Sequence, residues 1–194
     1  DRSYVVTDGE VAIVVDPQRD VDRVLETLGD VPVTHVFETH IHNDYVTGGL
    51  ALADRCDATY VVNADDPVDF DRHGIRDGDV IATGSLEVTG IHTPGHTPTH
   101  MSYAVAVDGV PAAVFTGGSV LYGAMGRTDL VDPDRTEELT RAQHRSAHRL
   151  ADLLPDDTDV YPTHGFGSFC SATETKGTES TIGKEKEQNL ALTE

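Results

Sequence analysis

The sequence predicts an α/β fold in which two mixed β-sheets pack face to face and helices cover their outer sides. Three observations predict it. Short apolar runs of strand length fall into two groups, segments with helical periodicity accompany both groups, and turns containing glycine or proline separate them. Because this order repeats in two halves, it indicates two sheets sandwiched between helices. The length of 194 residues is that of one domain.

The first half of the chain alternates strands with helices. Strands are predicted at residues 4–6, 11–15, 33–37 and 59–62, and helices at 21–28 and 50–55. Asp8-Gly9 provides the turn of an initial hairpin, and Gly29 ends the first helix.

The second half contains more strands and one long helix. Strands are predicted at residues 80–82, 86–91, 101–107, 111–115 and 160–161, and a helix at 134–154 with Asp134 as its N-cap. After Ser171 the chain becomes rich in Thr, Glu, Lys and Gly, with few apolar residues. We therefore predict a domain over residues 1–170 and a tail or linker over 171–194.

The charge balance limits the kinds of partner. Asp and Glu number 34 against 14 Lys and Arg, which gives a net charge of −20. Such a surface repels nucleic acid and anionic membranes, and it also suits a salt-rich cytoplasm. No apolar run reaches the length of a membrane span. The two well-separated cysteines indicate reduced thiols, so a cytoplasmic location is predicted.

A group of histidines after predicted strands indicates a metal site. His40 and His42 are spaced i, i+2 directly after an apolar run, and Asp44 follows them. His96 lies in a Thr-Pro-Gly-His turn, and His164 lies in a Pro-Thr-His-Gly loop. Neutral imidazoles around an open position are typical of a catalytic metal site. His164 is either a last ligand or a buried histidine bonded to the backbone.

Two further residues have alternative interpretations. Asp44 is predicted to bind the metal, to orient water or to act as a general base, the alternative being a turn cap. Arg127 follows a glycine-rich stretch and suits two-pronged binding of a substrate carboxylate, but it equally suits a salt bridge to Asp129.

These motifs resemble those of the metallo-β-lactamase superfamily. The resemblance covers residues 4–170 and rests on four motifs: His40-x-His42-x-Asp44, Thr93-Pro94-Gly95-His96, Phe115-Thr116-Gly117 and Pro162-Thr163-His164-Gly165. It implies the αββα sandwich of that family, in agreement with the order of predicted elements. Segments 38–45, 126–130 and 165–170 most resemble the persulfide dioxygenase-like branch and its fusions with rhodanese domains. The tail then looks like the connection towards rhodanese modules.

This branch implies one divalent metal, Fe(II) in first place and Zn(II) as the alternative. Its Fe(II) is held by two His and one Asp, and the resemblance makes His40 and His96 the imidazole ligands. The chain departs from the pattern at two positions. Gly118 stands where the family has the ligating Asp, and Tyr45 stands where binuclear members have another His. The departures favour a single site of His40, His42 and His96, with Asp44 or water supplying oxygen.

The resemblance implies three functions, in order of preference. The first is oxidation of a low-molecular-weight thiol persulfide to sulfite, with Arg127 holding a carboxylate of the carrier and Tyr45 donating a hydrogen bond to oxygen. The second is a mononuclear zinc hydrolase of the glyoxalase II or lactonase type, with a thioester or lactone substrate and Asp44 as base. The third is a degenerate module that presents a sulfur carrier to attached rhodanese domains. A homodimer is expected by analogy.

Overall fold

Two β-sheets pack face to face in the computed structural model, which describes residues 1–42, 45–165, 169–174 and 177–193. The first sheet has the order β1 (Tyr4–Thr7), β2 (Ala12–Val15), β3 (Val33–Phe37), β4 (Thr59–Asn63) and β5 (His73–Ile75). The helices α1 (Val21–Leu28) and α2 (Gly49–Cys56) pack on its outer face. The predicted two-sheet sandwich is confirmed.

The second sheet has six strands and carries the remaining helices. In chain order its strands are β6 (Val80–Thr83), β7 (Leu86–His92), β8 (Met101–Val107), β9 (Val110–Gly117), β12 (Asp159–Pro162) and β13 (Ser180–Thr181). A short ribbon lies between them in sequence, formed by β10 (Val120–Leu121) and β11 (Ala124–Met125). The outer helices are α3 (Thr136–Leu153), α4 (Ile182–Gln188) and α5 (Leu190–Thr193).

Alternation along the strands builds the layers. In β2, Ala12 and Val14 face the helices α1 and α2, whereas Ile13 and Val15 face the second sheet. Because both faces are covered, the strand is a continuous apolar run rather than a polar-apolar alternation. Phe37 of β3 meets Tyr103 of β8 in the same central layer, with ring centroids 4.9 Å apart.

The strand directions bring five loops to one edge of the sandwich. The strands β2, β3 and β4 are parallel, and β12 is parallel to β9 in the second sheet. Since β7 and β9 are both antiparallel to β8, they run in the same direction as each other. The loops that follow β2, β3, β7, β9 and β12 therefore meet, and ligand sites of α/β folds form at such carboxyl ends.

Some elements differ from the prediction. The strands β5, β10 and β11 were not predicted, because two or three residues do not establish a periodicity. The predicted N-cap role of Asp134 is wrong. The side chain of Asp132 instead accepts a hydrogen bond from the Asp134 amide and caps a 3₁₀ turn at Pro133–Arg135, after which α3 begins at Thr136. Within the described residues, no helix is long and apolar enough to cross a membrane.

The C-terminal segment, expected to be a tail, is folded against the second sheet from Ser180 onward. The strand β13 pairs with β12, and Ile182 is buried against α3. Glu185 is also buried, and its carboxylate accepts hydrogen bonds from the Gly123 amide, the Ser180 hydroxyl and the Asn189 amide. Composition did not predict this docking, because buried polar groups replace part of the usual apolar contact.

We expect Glu185→Ala to lower the free energy of unfolding by about 2–3 kcal/mol, because three buried donors lose their shared acceptor. The measurement is chemical denaturation at fixed salt concentration. Glu187→Ala is the matched control, since Glu187 is an exposed residue of the same helix. Equal effects of the two substitutions would mean that the segment is not docked.

Candidate metal centre

Three buried imidazoles meet at the shared edge of the two sheets. His40 comes from the loop after β3, His96 from the loop after β7, and His164 from the loop after β12. One ligand nitrogen of each ring lies within 4.8 Å of those of the other two rings. The site therefore joins both halves of the chain, and each of its three histidines comes from a different loop.

Hydrogen bonds determine which nitrogen of each ring carries the lone pair. The Thr39 hydroxyl donates to Asp16, so it accepts a hydrogen bond from Nδ1 of His40, 2.9 Å away. Nδ1 of His164 lies 3.1 Å from a carboxylate oxygen of Asp1, and Nδ1 of His96 lies 2.7 Å from the carbonyl oxygen of Arg127. Because all three partners are acceptors, Nδ1 of each ring donates a hydrogen bond, and Nε2 is the ring nitrogen left to bind something else.

This arrangement fits a bound cation. The Nε2 atoms of His40 and His164 are only 3.0 Å apart, close enough for both to contact one ion. Burial, followed by the nearby charges of the other histidines, lowers the pKa of His40 well below its ordinary value. The ring is therefore neutral, as metal ligation requires. Neutral imidazole suits both iron and zinc.

Gly118 explains the absence of a carboxylate ligand at that position. A Cβ atom there would overlap the ring of His96. The Gly118 amide also donates to Nε2 of His100, 3.1 Å away, and the His100 ring stacks on His40. The observed position of His96 therefore requires a glycine at residue 118. Among the described residues, the three candidate ligands of this trio are all imidazoles.

His42 lies beside the trio and is oriented by acidic residues. Its ring centroid is 4.1 Å from that of His40. Its Nε2 atom lies 3.3 Å from Asp16, 3.2 Å from Glu38 and 3.0 Å from the hydroxyl of Tyr45. Its Nδ1 atom is buried and has no hydrogen-bond partner among the described residues. Burial opposes protonation of His42, but Asp16 and Glu38 raise its pKa to about 10, so the ring is cationic at neutral pH and Nδ1 would become a ligand atom only when a metal ion displaces its proton.

The two carboxylates behind His42 differ in their environments. Burial raises the pKa of Glu38 to about 7, although hydrogen bonds from His42 and Thr47 oppose that effect. Burial also acts to raise the pKa of Asp16, but the charge of His42 and hydrogen bonds from His42, Thr163 and Thr39 outweigh it, and that pKa falls to about 2. Asp16 is therefore the permanent anion of the pair at neutral pH.

The remaining predicted site residues differ in where they lie. Asp44 lies outside the described residues. The Tyr45 hydroxyl contacts His42 and lies 3.3 Å from the carbonyl oxygen of Asp16, so it borders the site. The Arg127 guanidinium makes a two-pronged ion pair with Asp129 at 2.9 and 2.6 Å, which is the alternative that the sequence left open. Its carbonyl oxygen, rather than its side chain, contacts the His96 imidazole.

Three supporting residues were not identified from the sequence. Asp16 and Glu38 hold His42, and Gln143 of α3 accepts a hydrogen bond from the His96 amide at 2.8 Å. Gln143 had a detectable signal, because it is a polar residue on the apolar face of an amphipathic helix. The Asp-Pro dipeptide at residue 16 and the glutamate before the histidine motif gave no comparable signal, since both look like ordinary loop residues.

Comparison with known proteins agrees with the geometry. The profile of the family described as "Metallo-beta-lactamase superfamily" matches residues 2–164. The human protein named persulfide dioxygenase ETHE1, mitochondrial, is 29% identical, over 98% of this chain and 71% of that protein. A hydroxyacylglutathione hydrolase of Dictyostelium discoideum is 27% identical over 84% of this chain, which spans only 62% of that relative's length.

A solved structure shows the same relationship. The crystal structure of ETHE1 from Myxococcus xanthus superposes with a TM-score of 0.80 at 31% sequence identity. The superposition covers 97% of this chain and 77% of the other.

We expect Glu38→Gln to weaken metal binding about 10–100-fold, because loss of a carboxylate that orients a ligand imidazole has effects of that size. Glutamine preserves the shape of the side chain, and the raised pKa of Glu38 means that its neutral form is compatible with the fold. The measurement is a competitive zinc titration with a chromophoric chelator.

Glu87→Gln, at an exposed position of β7, is the matched control and should leave the affinity unchanged. If Glu38→Gln also bound zinc with the original affinity, His42 would not be a ligand that Glu38 orients.

Proposed function

Because the chain belongs to the metallo-beta-lactamase superfamily, we propose that this metal-dependent enzyme oxidises the persulfide of a small thiol to sulfite. One persulfide, one O₂ and one water give one thiol, one sulfite and two protons. The S–S bond breaks, the two sulfur atoms together release four electrons, and O₂ accepts them. Fe(II), when bound, would supply the redox chemistry that lets O₂ react with sulfur.

The observation that carries this proposal is the convergence of imidazole lone pairs on one point. The trio of His40, His96 and His164 has the size of a single-ion centre, with His42 beside it. Gly118 removes the side chain that the family uses as its carboxylate ligand, and Tyr45 occupies the position of a further histidine of two-metal members. Both features favour a one-metal enzyme.

Structural similarity supports the same branch. Alignments with relatives named persulfide dioxygenase and hydroxyacylglutathione hydrolase extend over 98% and 97% of this chain, so sequence coverage does not separate the two. The structural similarity to ETHE1 of Myxococcus xanthus covers nearly the whole chain as well.

In this proposal the chain's own residues hold the metal and control protons around it. His40, His96 and His164 use Nδ1 to bond their supporting acceptors and leave Nε2 for the metal, and Asp16 and Glu38 contact Nε2 of His42. Hydrogen bonding to oxygen by Tyr45, binding of a carboxylate by Arg127 and a ligand role for Asp44 stay predictions.

A mononuclear zinc hydrolase is the second candidate. The specific observation in its favour is the donor set, because imidazoles without a carboxylate suit zinc as well as iron. The hydroxyacylglutathione hydrolase relative points to a thioester as the substrate class. Zinc, when bound, would supply a Lewis acid that activates water for attack on the thioester carbonyl.

We expect the protein, reconstituted anaerobically with Fe(II), to consume one O₂ and release one sulfite per persulfide added. An oxygen electrode and a sulfite assay measure both quantities. The assay is run from low salt to molar KCl because of the net charge of −20. His96→Ala should abolish both signals, whereas His144→Ala, at an exposed position of α3, should leave them intact.

Hydrolysis of thioesters by the zinc-loaded protein, without oxygen uptake by the iron-loaded protein, would overturn the dioxygenase proposal in favour of the hydrolase. The absence of both activities in metal-loaded protein would favour the third function, a degenerate sulfur-carrier module. A rhodanese partner module, a homodimer and a cytoplasmic location stay predictions.

A further inference from the structure

The segment that leads from β7 to His96 lies directly on the helix α3. A Cβ atom on Gly95 would overlap both the side chain and the Cα atom of Gln143 in that helix. The φ of Gly95 is +149°, a value that residues with a side chain rarely adopt. Glycine therefore lets the backbone of residues 92–96 approach α3 closely enough for helix side chains to bond to it.

Three polar side chains of α3, each three residues after the last, bond to the backbone of alternate residues in this segment. The Gln143 carbonyl oxygen accepts from the His96 amide at 2.8 Å, the Ser146 hydroxyl donates to the Pro94 carbonyl oxygen at 2.8 Å, and the Arg149 guanidinium donates to the His92 carbonyl oxygen at 3.0 Å. Residues three apart are neighbours on a helix surface. We call these three side chains the α3 row.

The C-terminal member of the α3 row is anchored to a third segment. The Arg149 guanidinium forms a two-pronged ion pair with Asp77, with distances of 2.7 and 2.8 Å. Asp77 in turn accepts a hydrogen bond from the His92 amide at 2.8 Å. Arg149 and Asp77 together therefore hold both the carbonyl and the amide of His92, where the segment leaves β7.

The N-terminal member is anchored beside the metal centre. The side-chain amide of Gln143 donates to the Ser119 carbonyl oxygen at 2.7 Å, in the loop after β9. The preceding residue of that loop, Gly118, packs against the His96 ring. Gln143 thus fixes the backbone of His96 relative to the loop that borders its ring.

The contacts of His96 divide into two kinds. Its ring bonds through Nδ1 to the carbonyl oxygen of Arg127, whereas its backbone amide bonds to Gln143. The first contact orients the imidazole, and the second determines where the residue lies in the site. A metal ligand needs both, because binding geometries tolerate displacements of only about 0.5 Å.

From these contacts we propose that Ser146 and Arg149 are positioning residues of the metal centre, which act together with Gln143. They hold the backbone of residues 92–96 on α3, so that Nε2 of His96 lies next to the other two imidazoles of the trio. The proposal rests on the proposed function in one respect, namely that the trio binds a metal ion.

The first test needs no metal. Amide hydrogen exchange of His96 is measured by NMR on the metal-free full chain, relative to exchange of the amides of the buried strand β8, which corrects for global stability. Ser146→Ala and Arg149→Met should each raise the relative exchange rate about three- to tenfold, because each variant loses a bond that keeps the segment on α3.

Two matched controls lose comparable bonds elsewhere. Arg141→Met breaks the ion pair with Glu137 on the exposed side of the same helix. Ser180→Ala removes a buried hydroxyl that donates to Glu185, far from residues 92–96 in the chain. Both controls should leave the relative exchange rate of the His96 amide unchanged.

The second test reports the geometry of the bound ion. Co(II) is titrated into the full chain, and its visible absorption bands and affinity are recorded. Ser146→Ala and Arg149→Met should shift the bands and weaken binding about tenfold, as loss of residues that orient a ligand does. Arg149→Lys keeps the charge but not the two-pronged contact, so it should recover part of the loss. The control variants should match the unaltered protein.

Unchanged exchange in both row variants, or equal effects in row and control variants, would overturn the proposal. Altered exchange with unaltered cobalt bands and affinity would also overturn it, because the row would then order the segment without positioning the ligand. If the unaltered protein binds no Co(II), the metal centre itself fails. If both tests give the expected result but iron-loaded protein consumes no O₂, the dioxygenase function fails while the positioning role stands.

Discussion

The buried carboxylate of Asp16 is the interaction on which the metal centre depends. It accepts hydrogen bonds from the Thr39 amide and hydroxyl, both at 2.7 Å, and from the Thr163 hydroxyl, and it contacts His42. These partners come from the loops after β3 and β12, so one side chain joins the two sheets. Its backbone has a φ of +48°, a conformation that aspartate tolerates better than most residues and that turns the chain sharply after β2.

The proton arrangement of the site follows from this carboxylate. Because the Thr39 hydroxyl donates its hydrogen bond to Asp16, it accepts one from Nδ1 of His40, and the lone pair of the neutral His40 ring lies on Nε2, which faces His164. Asp16 and Glu38 also contact Nε2 of His42 and raise its pKa to about 10. A permanent anion that contacts His42 directly and His40 through Thr39 thus balances the charge of a bound cation.

The sequence predicted the architecture and the histidines of the candidate site, but not how they are supported. Buried strands such as residues 33–37 and 101–107 can be predicted because their apolar residues are neighbours in the sequence. The histidine motifs can be recognised because their residues are also close together in the sequence. The hydrogen bond between Thr163 and Asp16 joins residues 147 positions apart, and no local pattern reports it.

Other features were missed for related reasons. Glu185 looks like a solvated helix residue, and only the position of Gly123 across the fold explains its burial. The sequence left the partner of Arg127 open, since a guanidinium two residues from Asp129 can bind either that carboxylate or a substrate. The sequence also left the role of His164 undecided between a ligand and a buried histidine bonded to the backbone. In the structure its ring faces His40.

We propose that the imidazoles of His40, His96 and His164 hold one metal ion. Elemental analysis combined with X-ray absorption at the metal edge tests it most directly, on protein isolated without chelator and on protein reconstituted anaerobically. We expect one metal ion per chain, with scattering from at least three imidazole rings. Two ions per chain, or no bound ion after reconstitution, would contradict it.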